Sequence, residues 1–243
     1  MDKIETLKDW IKHAHHIAFF GGAGVSTESG IPDFRSAEGI YNQPTGQHLS
    51  AEMIISAPFF NQDPKTFFDF YFDNLVFPNV SPNTTHKYLR HLEQEGKRVS
   101  VITQNIDSLH EQAGSQEVYH LHGSVGDNYC LTCGKHYTLD ELEKDAYGIP
   151  RCPEDQGIVR PAITLYGEQL PEADVTGAIM SLRSADLLIV AGTSLQVYPA
   201  AGFIDEFHGD KVAVINQTAI PMHRPNQLVF QSKLGDVMKE LVE

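Results

Sequence analysis

Polar side chains that could do chemistry follow two neighbouring apolar runs of the chain. The segment "TQNID" (103–107) closes one run, and the next run ends in "LHG", which places His122 beside Gly123. Polar groups buried at such positions are costly unless hydrogen bonds satisfy them. The "TQNID" segment is therefore either a capped helix start at Asp107 or a polar wall for a ribose and an amide. His122 is interpreted as a general base, because imidazole titrates near neutral pH.

A glycine-rich segment, "GGAGVSTESG" (21–30), follows the first apolar run. Gly22 and Gly24 would let the backbone approach a pyrophosphate. Ser26 or Thr27 is predicted to cap a helix whose N-terminal amides face an anion. The dinucleotide fingerprint expects a third glycine where Thr27 stands, so an ordinary tight turn is the alternative.

Two later runs also end in polar residues. "GTS" (192–194) follows the run "ADLLIVA", and Asn216 closes "KVAVIN". Hydroxyl-bearing turns and a terminal asparagine are common in loops when they occur alone. Several polar strand ends on one sheet edge favour a ligand crevice, because ligands of open α/β sheets bind at the carboxyl ends of the strands.

The three cysteines of the chain fall in one region. Cys130 and Cys133 have the spacing Cys-x-x-Cys, and Cys152 is followed at the same spacing by Asp155. This pattern predicts a tetrahedral structural zinc site in which a carboxylate oxygen replaces the fourth thiolate. The alternatives are a module that has lost its metal and a site completed by His136 as the fourth ligand.

The elements that must position these residues are strands alternating with helices. Strand-sized apolar runs cover 16–20, 98–104, 117–123, 185–192, 211–217 and 227–231. Helices are predicted near 2–15, 84–95, 171–183, 199–208 and 235–242. Runs rich in Val, Ile and Phe are typical of strands buried on both faces, and intervening helices imply crossovers in a parallel sheet. The predicted fold class is therefore α/β, with a doubly wound, mostly parallel, Rossmann-like sheet.

Two segments interrupt the alternation and are predicted to form a small insertion domain. The segment 36–79 is dense in aromatic residues and predicts a helical insertion, whereas 125–159 contains the cysteines and predicts a zinc-binding module. The Rossmann-like nucleotide-binding domain then comprises 1–35, 80–124 and 160–243.

Composition argues against nucleic-acid binding, membrane insertion and a disulfide-rich secreted protein. The formal net charge is −14 and the 18 Lys and Arg residues are scattered, so no nucleic-acid partner is expected. The longest apolar runs are strand-sized, so no membrane insertion is expected. Three cysteines are too few for a disulfide scaffold, and "MDKIETLKDW" has no signal-peptide pattern, so a cytoplasmic location is predicted.

Taken together, these motifs resemble those of the sirtuins, the NAD-dependent protein-lysine deacylases. The resemblance rests on "GAGVSTESGIPDFR", "TQNID", "HG", the two zinc half-motifs, "LYGE", "GTSL" and "IN", in the order and spacing of that family. It runs from Phe19 to Asn216 and is closest to a compact bacterial member. It implies an NAD-dependent protein-lysine deacetylase that transfers the acetyl group to ADP-ribose, with release of nicotinamide and O-acetyl-ADP-ribose.

The resemblance also implies roles for individual residues. The catalytic residues it implies are His122, Asn105 and Asp107. The NAD contacts it implies are Ala23, Gly24, Thr27, Phe34, Arg35, Gln104, Ile106, Asp107, His122, Thr193, Ser194 and Asn216. The zinc ligands it implies are Cys130, Cys133, Cys152 and Asp155. The partner is an acetyl-lysine protein or peptide, expected to add as a strand between "YGEQL" (166–170) and "LQVYP" (195–199).

The sequence leaves two alternative activities open and favours one class of acyl group. The alternatives are protein ADP-ribosyl transfer and an NAD-sensing module without turnover, both of which an intact His122 disfavours. The desuccinylase branch of the family recognises acidic acyl groups with a Tyr and an Arg three residues apart. This chain has Tyr71 and Asn74 instead, so acetyl-lysine is expected over succinyl-lysine. A monomer is expected.

Overall fold

The computed structural model describes residues 2–34, 36, 39–42 and 49–242. Within them the strands are β1 (His16–Gly21), β2 (Arg98–Thr103), β3 (Glu117–His120), β4 (Gly123–Cys130), β5 (His136–Tyr137), β6 (Val159–Ile163), β7 (Leu187–Ala191), β8 (Lys211–Ile215) and β9 (Gln227–Phe230). The α-helices are α1 (Lys3–His13), α2 (Ala51–Ile54), α3 (Ala57–Gln62), α4 (Pro64–Asn74), α5 (Thr84–Gln94), α6 (Leu109–Ala113), α7 (Glu172–Ser184) and α8 (Leu234–Val242).

The main sheet has six parallel strands in the order β3-β2-β1-β7-β8-β9. The chain winds outward from β1 through β2 to β3, and later returns to the other side of β1 and winds outward again. Gly21 ends β1 opposite Thr103 of β2 and Ala191 of β7. The switch point of the sheet, where open α/β sheets bind their ligands, is therefore at the carboxyl ends of β1 and β7.

Both faces of the main sheet are covered, which confirms the doubly wound prediction. Because successive side chains of a strand point to opposite faces, Phe19 packs with α1, α5 and α8, and Phe20 packs with α7 and the 3₁₀ stretch Ala200–Glu206. Both phenylalanines are fully buried. This two-sided burial explains why the strands are continuous apolar runs.

Short polar caps determine where helices near the site begin. The Asp63 carboxylate accepts a hydrogen bond from the Thr66 N–H (3.0 Å) and caps α4, whose first residue is Pro64. The Asn83 side chain accepts from the Thr85 N–H (2.9 Å) and caps α5. These caps fix the start of the last helix of the aromatic insertion and of the first helix after it.

The predicted insertion is helical from α2 to α4, and its aromatic rings form a separate core. Phe67, Phe68 and Tyr71 are fully buried there, with ring centroids 5.2 Å apart for Phe67 and Phe68 and 6.0 Å for Phe67 and Tyr71. Ile163 of β6 packs against the same core. The residues 43–48 of the predicted insertion lie outside the described part of the chain.

The cysteine region contains a small antiparallel sheet, in the order β5-β4-β6, that the sequence analysis did not predict. Its longest strand, β4, mixes buried and exposed polar residues and so lacks an apolar run. β4 begins at Gly123, so it crosses the predicted domain boundary after residue 124. The division into two domains stays a prediction.

Two predicted elements differ from the structure. The predicted helix at 199–208 is a 3₁₀ stretch, Ala200–Glu206. The predicted strand 117–123 ends at His120, so His122 lies in the turn before β4 rather than at the end of β3. No helix within the described residues is long and apolar enough to cross a membrane.

Candidate functional site

Backbone hydrogen bonds hold the loops at the switch point together. The Gly22 N–H donates to the Ala191 carbonyl (3.1 Å), and the Gln104 N–H donates to the Gly21 carbonyl (3.0 Å). The glycine-rich loop after β1, the "TQNID" segment after β2 and the "GTS" turn after β7 therefore meet at one edge. The sequence prediction that these polar strand ends are neighbours is confirmed.

The glycine loop after β1 and the turn after β7 are in direct backbone contact. The Gly24 N–H donates to the Gly192 carbonyl at 2.9 Å. A Cβ added at Gly24 would lie 2.8 Å from the Gly192 Cα, and Gly192 itself has φ +59°. Side chains at these positions would force the two loops apart, so glycine is required for the close approach.

The predicted helix after this glycine loop is absent, and the predicted cap by Ser26 or Thr27 is wrong. Two 3₁₀ turns, Ala23–Val25 and Thr27–Ser29, stand in its place. Gly30 has φ +93°, and Pro32 follows, so the chain turns away before an α-helix can propagate. The Thr27 hydroxyl instead donates to the Gly24 carbonyl at 3.1 Å.

The freed Ser26 hydroxyl joins a buried polar network with the "TQNID" segment. It donates to one carboxylate oxygen of Asp107 (2.8 Å) and accepts from the Asn105 amide (3.0 Å). The other Asp107 oxygen accepts from the Leu109 N–H at 3.1 Å, at the first residue of α6. The hydrogen bond to Leu109 confirms that Asp107 caps the start of α6, and Asp107 also lines the crevice. Its role as part of a polar wall for a ribose and an amide stays a prediction. Burial raises the pKa of Asp107.

His122 follows β3 and is oriented by the backbone of the neighbouring segment. Its Nδ1 lies 2.8 Å from the Gln104 carbonyl oxygen, which can only accept, so Nδ1 carries the proton and Nε2 has a free lone pair. Burial lowers the pKa of His122, and the hydrogen bond to Gln104 opposes this effect only partly. The ring is therefore neutral and basic at neutral pH, which suits proton abstraction.

A small cavity lies against the Ser26–Asn105–Asp107 network. Its described wall is mostly apolar and includes Ile31, Pro32, Phe34, Ile40, Leu75 and Ile106. Among the described lining residues the one charged group is the Asp107 carboxylate, so a neutral ligand with N–H donors fits best. Ala23 also lines this cavity, whereas Arg35, predicted to cover the cofactor, lies outside the described residues.

The remaining predicted cofactor residues extend along the same sheet edge. The Gln104 amide donates to the Thr193 hydroxyl at 3.0 Å, which links the ends of β2 and β7 across β1. Ser194 follows directly in the same turn. Asn216 lies just past β8, and its amide donates to the Thr218 carbonyl at 2.9 Å.

The aromatic insertion explains what Tyr71 and Asn74 do in this chain. Tyr71 is fully buried, and its hydroxyl has no hydrogen-bond partner within the described residues. The Asn74 amide donates to the Phe70 carbonyl of its own helix at 3.0 Å. Neither side chain supplies a cation.

The predicted substrate segment after β6 is held by a partly buried ion pair. Arg160 binds Glu168 with both terminal nitrogens, at 2.6 and 3.1 Å, and also donates to the Ile163 carbonyl. The same carboxylate accepts from the Leu165 N–H at 2.8 Å. Such a bidentate pair fixes geometry in the turn that carries Tyr166.

The cysteine region fits a metal ion. One ligand atom from each of Cys130, Cys133, Cys152 and Asp155 lies within 4.8 Å of all the others. The Cys133 and Cys152 sulfurs are 3.8 Å apart, and Cys130 Sγ is 3.4 Å from Asp155 Oδ1. Tetrahedral zinc with Zn–S bonds of about 2.3 Å implies sulfur separations of about 3.8 Å, so this arrangement matches a zinc site.

His136, the alternative fourth ligand, is outside this cluster. Its Nδ1 pairs with Asp127 Oδ1 at 2.7 Å on the exposed side of the small sheet. The four-residue set that includes Asp155 is therefore the one that the structure supports as able to hold zinc.

Sequence reasoning missed two residues that brace the glycine loop. The Asn83 amide donates to the Val25 carbonyl at 2.8 Å. The Glu28 carboxylate accepts from the Gly235 N–H at 2.9 Å, at the start of α8, where a Cβ would lie 2.0 Å from Glu28 Oε2. No local signal could find these contacts, because the partners are far apart in the chain.

These observations define a doubly wound α/β protein with a crevice at its switch point, a buried histidine at the same sheet edge and a cysteine cluster that could hold a metal ion. Comparison with known proteins then gives the family. The model of the Sir2 family matches residues 22–199. A Clostridium perfringens (strain 13 / Type A) protein named NAD-dependent protein deacetylase is 44% identical over 243 residues, which cover 100% of this chain and 99% of that protein.

Solved structures agree over the whole length. One, described as "Sir2-p53 peptide-NAD+", has a TM-score of 0.83 at 33% identity and covers 100% of this chain and 98% of its own. Another, "Sir2 bound to acetylated peptide", has a TM-score of 0.84 at 33% identity with the same coverage. The chain belongs to the Sir2 family, as the sequence resemblance implied.

Proposed function

We propose that this chain is an NAD-dependent protein-lysine deacetylase, which moves the acetyl group of acetyl-lysine to ADP-ribose and releases nicotinamide. The observation that carries the proposal is the meeting, at one sheet edge, of a neutral His122 with a free Nε2 and a buried network around Asp107. Relatives that carry the name of this activity, and related structures with NAD and acetylated peptide, support it.

In this proposal Asp107 recognises the leaving amide. Its carboxylate would accept an N–H of the nicotinamide carboxamide, and Ser26 and the Leu109 N–H hold that carboxylate in one orientation. The apolar wall around Phe34 excludes water from the bond that breaks between nicotinamide and ribose. Asn105 keeps the Ser26 hydroxyl directed towards Asp107 by donating its amide to it.

His122 acts as the general base on a ribose hydroxyl. Its Nδ1–H is committed to the Gln104 carbonyl, so the proton is taken up at Nε2. The other proposed NAD contacts are Ala23, Gly24, Thr27, Phe34, Arg35, Gln104, Ile106, Thr193, Ser194 and Asn216. The approach of Gly24 to Gly192 supports a pyrophosphate site at the glycine loop, since it leaves backbone rather than side chains facing the crevice.

Zinc, where bound by Cys130, Cys133, Cys152 and Asp155, has a structural role. It would join β4 to the loop before β6 and contribute free energy of folding. Cys130 ends β4, Cys133 and Cys152 lie in the adjoining loops, and none of the three lines the cavity beside Asp107, which supports a role away from the chemistry.

The decisive experiment incubates the protein with NAD and an acetyl-lysine peptide, and measures nicotinamide release and peptide mass. Loss of the acetyl mass with equal release of nicotinamide is expected. A peptide that gains ADP-ribose would establish the transferase instead, and no nicotinamide release would leave an NAD-binding module. A cytoplasmic monomer without nucleic-acid or membrane partners stays part of the proposal.

A further inference from the structure

A pair of tyrosine hydroxyls links the cavity to the segment after β6. The Tyr41 and Tyr166 hydroxyl oxygens are 2.8 Å apart, although the residues are 125 positions apart in the chain. Either hydroxyl can donate to the other. The mechanism proposed above uses neither side chain.

On one side, Tyr41 holds Phe34 in the cavity wall. The Tyr41 N–H donates to the Phe34 carbonyl at 2.9 Å, and the two rings lie 5.3 Å apart with a 57° interplanar angle. The neighbouring Ile40 N–H donates to the Asp33 carbonyl, also at 2.9 Å. Phe34 and Tyr41 are therefore held together by a backbone hydrogen bond and a ring contact, so a shift of one ring is transmitted to the other.

On the other side, Tyr166 begins the segment 166–170 and has a fixed backbone. Its N–H donates to the Ile55 carbonyl and its carbonyl accepts from the Ala57 N–H, each at 3.0 Å. The side chain is nevertheless 41% exposed, and Gly167 follows with φ +92°. An anchored backbone with an accessible ring is suited to meeting a second molecule that lies along the segment.

We propose that Tyr166 is a positioning residue, which places Phe34 over the cofactor cavity through the Tyr41 hydroxyl when an acyl-lysine peptide lies on the segment 166–170. The inference rests on the proposed deacetylase function. Peptide and cofactor then strengthen each other's binding, because coupling between two sites is reciprocal. The hydrogen bond between the Tyr41 and Tyr166 hydroxyls is neutral and partly exposed, so it contributes little to the free energy of folding. Its loss is therefore expected to weaken the coupling between peptide binding and cofactor binding.

The test measures initial rates over a grid of NAD and acetyl-peptide concentrations. In the wild type, the KM for NAD is expected to fall as the peptide concentration rises. In Tyr166→Phe and in Tyr41→Phe, this fall is expected to shrink about three- to tenfold, the range of one neutral hydrogen bond. The double variant should show no further change, because both substitutions remove the same bond.

The matched control is Tyr147→Phe, which removes a hydroxyl from a tyrosine that is 69% exposed in the cysteine region. It should behave as wild type. The inference fails if the wild-type KM for NAD does not depend on peptide, if the tyrosine variants keep the wild-type dependence, or if they lose only thermal stability. Absence of any nicotinamide release by the wild type would instead refute the proposed function.

Discussion

At His122, one backbone carbonyl selects the tautomer of the ring. Because the Gln104 oxygen can only accept, the proton lies on Nδ1 and the lone pair on Nε2. Burial lowers the pKa of the same ring below its ordinary value of 6.5. Tautomer and charge therefore both leave the side chain ready to take a proton at neutral pH.

We predict that His122→Ala abolishes deacetylation. The loss should exceed the roughly 10²- to 10⁴-fold that general-base catalysis contributes. In the wild type, kcat should rise with pH through a midpoint below 6.5 and stay level above it, because a lowered pKa keeps the imidazole neutral to lower pH. Rates of nicotinamide release and deacetylation measured between pH 5 and 8 check both expectations. Near-normal turnover by the variant would refute the assignment of the base.

Asn74 leads to a second prediction, which concerns the acyl groups that the protein removes from lysine. Turnover of succinyl-lysine peptide should be at least about tenfold below that of acetyl-lysine peptide, because its carboxylate lacks the roughly 1.5–3 kcal/mol that a hydrogen bond to a charged group contributes. Asn74→Arg should raise the succinyl rate relative to the acetyl rate. Asn61→Arg, the same substitution at an exposed site on α3, is the control and should leave the ratio unchanged. Equal rates for both peptides in the wild type would contradict the expectation.

Among the elements, α5 and α6 bury histidines where they pack behind the site. His86 and His110 are both almost fully buried, with ring centroids 4.6 Å apart, and His110 also packs edge-on against Phe19. Neither His110 nitrogen has a hydrogen-bond partner within the described residues. Burial lowers the pKa of His86 to about 4 and that of His110 well below its ordinary value.

These histidines predict a pH-dependent stability. The unfolded chain binds protons near pH 6.5 that the folded chain cannot, so the free energy of unfolding should fall as the pH drops from 6.5 towards 4. His110→Leu should reduce this slope by up to about 1.4 kcal/mol per pH unit. Urea denaturation at several pH values measures it, with His208→Leu at an exposed position as the control. An unchanged slope in His110→Leu would show that the ring is not buried neutral.

Sequence predicted elements well where periodicity was strong. All six apolar runs are strands of the main sheet, because burial on both faces leaves an unmistakable pattern. β4 escaped prediction because exposed polar residues interrupt its buried ones, so it has no continuous apolar run. The cap predicted at Ser26 failed because its hydroxyl bonds a residue 81 positions away. Contacts between residues so far apart in the sequence leave no signal in the local sequence. The clustering of polar residues at strand ends, by contrast, could be predicted from their positions after the apolar runs.

For the whole molecule, the cysteine region and the crevice are separate centres with separate consequences. The four ligand atoms around Cys130 are close together without any contribution from the crevice residues. Zinc should therefore control stability and leave the arrangement of His122 and Asp107 unchanged.

The prediction for the whole molecule is that the wild type contains about one zinc per chain and that Asp155→Ala weakens its binding at least about tenfold. Asp155→Cys, with four thiolates, should bind zinc at least as tightly as the wild type. Elemental analysis and chelator titration measure the metal, and thermal unfolding measures the consequence. Asp140→Ala, at an exposed acid of the same region, is the control. Wild-type protein without stoichiometric zinc would identify the region as one that has lost its metal.

The strand order has a consequence for how the chain folds during its synthesis. β1 is synthesised first among the strands, yet its neighbour β7 starts only at Leu187. Until then one edge of a largely apolar strand has no partner, which favours association with other nascent chains. The glycine loop is completed later still, because its Glu28 carboxylate accepts a hydrogen bond from the N–H of Gly235. The crevice can therefore take its final form only after the ribosome has synthesised the chain beyond Gly235.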